Sequence, residues 1–172
     1  MSFRVDEFAA AVRRHLVEGE SPDGPVSQFL AAAHGRAVGL WRNTGENLEQ
    51  LSFQAVPEMP AEVRSEFAAV TKRVPLAGGG LGIVQAVVSG QPAVGTRDGA
   101  SSGLEGSATW LERFEAVQSL AVPVCHGERV LGVLALSAAH RLDEGGPDVE
   151  LLEQAAASLE EPLLATMDDF VD

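Results

Sequence analysis

The sequence contains little cysteine, little aromatic content and little positive charge. One cysteine occurs in 172 residues, tyrosine is absent, and aromatic residues make up 5% of the chain. A single cysteine cannot form a disulfide within the chain, and it cannot build a zinc site from several thiolates. A reducing, cytoplasmic location is therefore the simplest expectation.

The shortage of positive charge excludes two classes of partner. Lysine and arginine total 12 against 25 aspartate and glutamate residues, which gives a formal net charge of −13 at pH 7. Nucleic-acid backbones and anionic membrane surfaces attract clustered lysine and arginine, so neither a nucleic acid nor a membrane is expected as a partner. The chain also lacks an apolar run near the roughly 20 residues that cross a bilayer.

Apolar residues are abundant and account for 45% of the chain. Apolar spacings of three and four predict helices, whereas alternation of apolar and polar residues predicts strands. The order of the elements predicts an α+β fold, in which an antiparallel sheet carries the terminal helices on one face and the middle segment on the other. Helices are expected at Phe3–Val17, Val26–His34, Pro60–Val70, Leu81–Ser89, Ala108–Phe114 and Pro147–Glu160. Strands are expected at Ala37–Arg42, Leu48–Val56, Arg73–Leu76, Pro92–Gly95, Val117–Cys125 and Arg129–Ser137.

Three stretches of the sequence resemble a known family. They are RVPLAGGGLGIVQAVVSGQPAVGTRD at Arg73–Asp98, SLAVPVCHGERVLGVLALS at Ser119–Ser137 and DVELLEQAAASL at Asp148–Leu159. The Pro-Leu pair, the Gly-Leu-Gly start of a helix, the Gly-x-Pro step and the Val-Pro-Val strand are typical of GAF domains. The chain therefore resembles a GAF domain over about Val26–Leu164.

The resemblance implies a fold and a function. It implies a GAF/PAS-like central sheet of about five or six antiparallel strands, with a pocket under the covering helices that holds cyclic nucleotides, tetrapyrroles, small metabolites or nothing. The expected function is a non-enzymatic signalling or regulatory domain that binds a small molecule there and transmits the change through its terminal helices. No cofactor is required. Residues 1–25 form the N-terminal helix and linker, 26–164 the GAF-like domain, and 165–172 an acidic C-terminal tail.

The candidate ligand-binding residues come mainly from the middle of the chain. Trp110 and Phe114 are four residues apart and share one helix face, so they line the expected pocket or fill a core there. Arg97 lies in the polar loop Thr96–Ser107, and long polar loops often carry function, so Arg97 is a candidate to meet an anionic ligand. Arg113 is a candidate to do the same from the short helix Ala108–Phe114. The full set of candidates is Trp41, Phe53, Leu81, Arg97, Asp98, Trp110, Arg113, Phe114, Leu120 and Val122.

The terminal helices suggest an alternative function. Apolar stripes on these helices pack on the sheet, or they form a four-helix bundle with a second copy. A homodimer is therefore expected, and the alternative is a ligand-free dimerisation or adaptor domain that binds a signalling protein. The stripes consist of Val5, Phe8, Val12 and Leu16, then Val149, Leu152, Ala156, Leu159 and Leu163.

The pair Cys125-His126 is a further feature that suggests chemistry. In bilin-binding relatives such a pair lies upstream of the Val-Pro strand, whereas here it follows that strand. Adjacent strand side chains point to opposite faces, which does not suit a nucleophile and its base. The free methionine sulfoxide reductase branch of the family needs a second, resolving thiol. A thiol enzyme is therefore the least favoured interpretation, and no catalytic or metal-ligating residue is expected.

The glycine run Gly78–Gly82 is a candidate phosphate cradle because it precedes a helix. No lysine, serine or threonine follows it in the register of a P-loop. The run is therefore interpreted as a loop before a helix, with backbone amides that are candidates to face a ligand.

Overall fold

The computed structural model of the chain describes residues 3–97 and 105–167. It confirms the α+β class, and within those ranges no helix is long and apolar enough to span a membrane. The helices are α1 (Val5–Val17), α2 (Asp23–Ala32), α3 (Ala61–Val70), α4 (Gly82–Ser89), α5 (Glu105–Arg113), α6 (Pro147–Ser158) and α7 (Glu160–Ala165). The strands are β1 (Ala37–Asn43), β2 (Asn47–Ala55), β3 (Arg73–Pro75), β4 (Ala93–Thr96), β5 (Gln118–His126) and β6 (Arg129–Ala138).

The six strands form one antiparallel sheet in the order β3-β2-β1-β6-β5-β4. The turn between β1 and β2 is held by Asn43, whose side-chain oxygen accepts a hydrogen bond from the Gly45 N–H at 2.9 Å. The turn between β5 and β6 uses Gly127 at φ 62°, a left-handed conformation that glycine adopts freely. The two hairpins meet through β1 and β6, which places these strands at the centre of the sheet.

One face of the sheet is covered by the helices of both chain ends. The helices α1, α2, α6 and α7 pack there on the larger apolar side chains of the strands, such as Val38, Leu134 and Leu136. Phe8 of α1 and Leu152 of α6 are 3% and 0% exposed, so the stripes of the terminal helices face their own sheet. This arrangement confirms the predicted placement of the terminal helices.

The opposite face is covered by α3, α4 and α5. Phe67 of α3, Ile83 of α4 and Leu111 of α5 pack there on Trp41 and Val133 of the central strands. The sheet therefore separates two apolar cores, one under the terminal helices and one under the middle helices.

Several helix bounds differ from the sequence prediction, and α2 begins at Asp23, three residues before the predicted Val26. Helix α5 begins at Glu105, earlier than predicted, so Ser107 lies inside the helix and does not cap it. The helix that starts at Pro147 ends at Ser158, and α7 follows it with Pro162 in its first turn. A first-turn N–H has no partner within its helix, so proline is tolerated at that position.

Candidate functional site

A cavity of about 60 Å³ lies between the sheet and the middle helices. Its floor comes from β1, β5 and β6, its roof from the start of α4 and from α5, and its side wall from aromatic rings on β1, β2, α3 and α5. It lies on the face that the sequence predicted for a pocket.

The floor exists because two neighbouring rows across the sheet carry only small side chains. In the first row, Ala37 of β1 pairs with Ser137 of β6, which pairs with Ser119 of β5. In the second row, Gly39 pairs with Ala135, which pairs with Ala121. Larger residues on the alternate positions point to the other face, so the small rows leave open space beneath the middle helices. We call these six residues the floor: Ala37, Gly39, Ser119, Ala121, Ala135 and Ser137.

The roof is held by contacts between α5 and the loop that leads into α4. The Ser107 Oγ accepts a hydrogen bond from the Gly82 N–H at 2.8 Å, and the Ser107 N–H donates to the Gly80 carbonyl at 2.8 Å. A Cβ on Gly106 would lie 2.8 Å from that same carbonyl oxygen, so the close approach requires glycine there. The Gly82 amide is therefore already bonded to Ser107, which disfavours its use as part of a phosphate cradle.

Five aromatic rings form the side wall, with Phe67 at their centre. The Phe67 ring lies 4.7 Å from Phe53, 4.9 Å from Trp110 and 5.0 Å from Phe114, measured between ring centroids. The last two contacts are edge-to-face, an arrangement that the charge distribution of aromatic rings favours. Trp41 completes the wall, and its Nε1–H donates to the Thr71 carbonyl at 2.8 Å, which fixes the ring over Gly39.

The polar groups of the cavity are hydroxyls. Among the described residues, the lining contains Ser107, Ser119 and Ser137 but no aspartate, glutamate, lysine, arginine or histidine. Ser107 is bonded to the roof, whereas no side-chain hydrogen bond of the described chain involves Ser119 or Ser137. The cavity is therefore an uncharged, mainly apolar space with two neighbouring hydroxyls on its floor.

Five of the sequence-predicted ligand residues lie around the cavity. They come from β1, β2, the start of α4 and α5, and all of them contribute apolar or aromatic surface. These residues are Trp41, Phe53, Leu81, Trp110 and Phe114.

Four of the other five predicted residues do not line the cavity. Leu120 and Val122 point into the core under the terminal helices, because they alternate with Ser119 and Ala121, and the prediction of their face was wrong. Asp98 lies outside the described residues.

Both arginines that were predicted to meet an anionic ligand are engaged outside the cavity. The Arg97 Nε–H donates to the Ala116 carbonyl at 2.7 Å. The Arg113 guanidinium lies 4.5 Å from the centroid of the Trp110 ring and forms an ion pair with Glu66. The expectation of an anion site built from these two arginines therefore has no support in the geometry.

Sequence reasoning missed Phe67 and the small residues of the floor. A signal for the floor was present in SLAVPV and LALS, where small and large residues alternate along β5 and β6. The small set, which includes Ser119, Ala121, Ala135 and Ser137, leaves the space, whereas the large set fills the other core.

Cys125 and His126 lie at the far end of β5 and do not line the cavity. The His126 Nδ1 is 2.7 Å from an Oε2 oxygen of Glu160. Burial, and secondly the charge of Glu160, raises the pKa of the Cys125 thiol. The thiolate is the nucleophilic form, so this environment disfavours thiol chemistry. Across residues 3–97 and 105–167, no group of histidine, cysteine, aspartate and glutamate side chains is arranged to hold a metal.

Solved structures with the same fold include an enzyme and GAF domains. Free methionine-R-sulfoxide reductase from Neisseria meningitidis in complex with its substrate is 19% identical, with a TM-score of 0.61 over 94% of this chain and 85% of that chain. The GAF domain of an Acinetobacter phosphoenolpyruvate-protein phosphotransferase is 14% identical, with a TM-score of 0.58 over 96% of each chain. The A. aeolicus nlh2 GAF domain in an inactive state is 12% identical, with a TM-score of 0.62 over 94% of this chain and 96% of that chain. At these identities the likeness shows the fold alone.

A family comparison goes further than the fold. A search of curated protein sequences returned no match. The model of the GAF domain family, however, matches residues 25–161, which include every strand of the sheet and the whole cavity. The chain therefore belongs to the GAF domain family.

Proposed function

We propose that this chain is a non-enzymatic regulatory domain that binds a small molecule in the cavity above the floor. The observation that carries the proposal is the cavity itself: its described lining is uncharged, its floor consists of small side chains, and no group of the described residues is hydrogen-bonded to the Ser119 and Ser137 hydroxyls. Concave, mainly apolar sites with a few converging polar groups are the usual form of small-molecule sites. The proposal includes a cytoplasmic location and a signalling protein as partner.

The sheet offers a route from the cavity to the terminal helices. In β6, Ala135 and Ser137 face the cavity, while Leu134 and Leu136 between them pack under the terminal helices. A ligand that moves the floor therefore also moves the side chains that support α6 and α1. Such a ligand shifts the arrangement of the helices only if it binds one arrangement more tightly than the other.

The test introduces larger side chains that fill the cavity and measures whether the binding of small molecules is lost. Ala135→Leu places a larger side chain between Gly39 and Ala121, and Ala121→Val is a milder version of the same change. We expect compounds that raise the melting temperature of the wild-type protein to lose this effect in both variants. Ala157→Leu, on the exposed side of α6, is the matched control and should keep the effect.

The result can also contradict the proposal. Compounds that stabilise the wild-type protein and Ala135→Leu equally would bind elsewhere. Failure of a broad metabolite library to stabilise the wild-type protein would instead favour the ligand-free adaptor function.

A second candidate function is the reduction of free methionine sulfoxide, because one of the structural neighbours has this activity. The only cysteine of the chain opposes it, since Cys125 lies outside the cavity and has a raised thiol pKa. A reduction assay on free methionine sulfoxide with the wild-type protein and Cys125→Ser decides between the two. Turnover that depends on Cys125 would establish the enzyme, and we expect none.

A further inference from the structure

We propose that the ligand of this cavity is an uncharged compound with a flat apolar ring and one hydrogen-bonding group, which lies on Ser119 and Ser137. This inference rests on the proposed function and names the chemical class of the ligand. It differs from the sequence expectation of an anionic ligand held by Arg97 and Arg113.

The described lining of the cavity disfavours an anionic ligand. No charged side chain of the described chain lines the cavity, and the two nearby arginines that were candidates are bonded elsewhere. A buried charge without a partner is strongly disfavoured. The net charge of −13 adds a general repulsion against anions. An anionic ligand would therefore enter a site that offers it no counter-charge.

A cationic ligand is the closer competitor, because aromatic rings attract cations. The wall rings, however, are largely turned toward one another, as the edge-to-face contacts of Phe67 with Trp110 and Phe114 show. One face of Trp110 is already covered by the Arg113 guanidinium. The described lining also contains no carboxylate that would neutralise a buried cation. An uncharged ligand therefore fits the cavity better than a cation.

The hydroxyls of Ser119 and Ser137 favour a ligand with one hydrogen-bonding group. Ser119 and Ser137 are direct cross-strand partners on the floor, so their side chains lie side by side. Each hydroxyl can donate one hydrogen bond and accept others, and neither is used by another side chain or by the backbone of the described chain. Gly95 leaves room for the Ser119 hydroxyl, since a Cβ at that position would clash with the Ser119 Oγ. The pair therefore suits one amide, carbonyl or hydroxyl group that both accepts and donates hydrogen bonds.

The shape of the cavity favours a ligand with a flat ring. The floor carries only glycine, alanine and serine, and the side wall next to it is aromatic, so a flat ring that lies on the floor would also contact the aromatic wall. A volume of about 60 Å³ is smaller than the cavity of about 150 Å³ that holds benzene in another protein. A ring therefore requires the wall to move outward. Trp110 and Phe53 are the wall residues placed to do so, because both are half-buried whereas Trp41 and Phe114 are 1% and 3% exposed.

The test uses three probes that have almost the same shape and differ in charge: benzamide (neutral), benzoate (anionic) and benzamidine (cationic). Amide chemical shifts of the ¹⁵N-labelled protein are followed during titration with each probe at pH 7. We expect benzamide to shift the floor amides and to bind at least about tenfold more tightly than either charged probe, because the charged forms are desolvated without a partner. Tryptophan fluorescence should change on binding, and the change should disappear in Trp110→Phe.

The serine pair is tested with the same probes. In the double variant Ser119→Ala, Ser137→Ala, we expect benzamide to bind about fivefold more weakly, while toluene, which lacks the polar group, is unaffected or favoured. Ser65→Ala, on the exposed face of α3, is the control and should change neither probe.

The outcomes separate this inference from the proposed function. Binding of benzoate or benzamidine as tight as that of benzamide, and lost in Ala135→Leu, would overturn the inference and leave the proposed function intact. Unchanged benzamide affinity in the serine double variant would overturn the role of the hydroxyls. Failure of all four probes to shift any floor amide would overturn this inference, whereas the proposed function is decided by the metabolite library and Ala135→Leu.

Discussion

At the scale of single residues, the missing side chain of Gly132 allows the two central strands to lie close together. A Cβ at this position would lie 2.3 Å from the Trp41 carbonyl oxygen and 3.0 Å from the Leu163 Cδ1. The first of these neighbours belongs to the backbone of the adjacent strand and cannot turn aside. The close approach of β1 and β6 at this point therefore requires glycine.

We therefore expect Gly132→Ala to lower the free energy of unfolding by about 1–3 kcal/mol, the usual cost of overpacking a core. Urea denaturation followed by circular dichroism measures the change. Gly79→Ala is the matched control, because a Cβ there would meet no atom within 4 Å and the backbone is not in the left-handed region. Equal stability of the two variants would show that the central strands can separate at no cost.

The residue scale also shows what the sequence could predict about the cavity. The aromatic wall was largely predictable, since Trp41, Phe53, Trp110 and Phe114 stand out in a chain with few aromatic residues. The floor was not, since the strand residues predicted to line the pocket were Leu120 and Val122, which face the other core. In a sheet with two covered faces, the larger side chains fill one core, and the space lies where the side chains are small.

At the scale of elements, α4 and α5 depend on each other at the roof of the cavity. Helix α4 begins at Gly82, and its N-terminal Leu81 provides no side-chain cap. The cap comes instead from Ser107 of α5, whose hydroxyl accepts the hydrogen bond from the Gly82 N–H. The first N–H groups of a helix have no partner within it, so this contact from a distant element satisfies one of them.

We expect Ser107→Ala to lower the free energy of unfolding by about 1–2 kcal/mol, the range for the loss of a helix cap. Hydrogen exchange of the α4 amides should accelerate more than that of α6, since the lost contact is local. Ser65→Ala is the control because it removes an exposed serine hydroxyl from α3. An unchanged exchange rate at Gly82 would mean that the roof does not depend on this bond.

The bounds of most elements were predictable from local patterns, whereas the start of α5 was not. The amphipathic spacing of α1 and the strand patterns of β5 and β6 are properties of neighbouring residues, and these elements appear as predicted. Serine favours the cap position, and Ser107 directly precedes the predicted start of its helix at Ala108. Its true partner is Gly82, and a contact over that distance along the chain leaves no local signal.

At the scale of the whole molecule, one sheet lies between two apolar cores. The apolar stripes of the terminal helices are buried in one of these cores. Phe8, Val12, Leu152, Leu159 and Leu163 are all nearly inaccessible within a single chain. Packing on the sheet of the same chain therefore accounts for the apolar stripes, and a second copy is not needed to bury them. Homodimerisation through the terminal helices stays a prediction, and it would have to use their outer, charged faces.

Such a dimer has a distinctive dependence on salt. Each copy has a net charge of −13, and the outer faces of α6 and α7 carry exposed acidic residues such as Glu150, Glu153 and Glu161. Two like-charged surfaces repel each other, and salt screens this repulsion over a Debye length of about 10 Å at 0.1 M. We therefore expect sedimentation velocity to show a dimer that strengthens as sodium chloride rises. A dimer that weakens with salt would instead point to paired opposite charges, and a monomer at every salt and protein concentration would refute the homodimer.

Reversing one charge on α6 distinguishes repulsion at the dimer contact from repulsion by the net charge of the whole molecule. Glu153→Arg and Glu58→Arg change the net charge equally, but only Glu153 lies on a terminal helix, whereas Glu58 precedes α3. If the terminal helices form the interface, Glu153→Arg should tighten the dimer at low salt clearly more than Glu58→Arg does, because it removes repulsion at the contact as well as at a distance. Equal effects of the two variants would place the interface elsewhere on the molecule. In that case the terminal helices would respond to the cavity only through the sheet of their own chain.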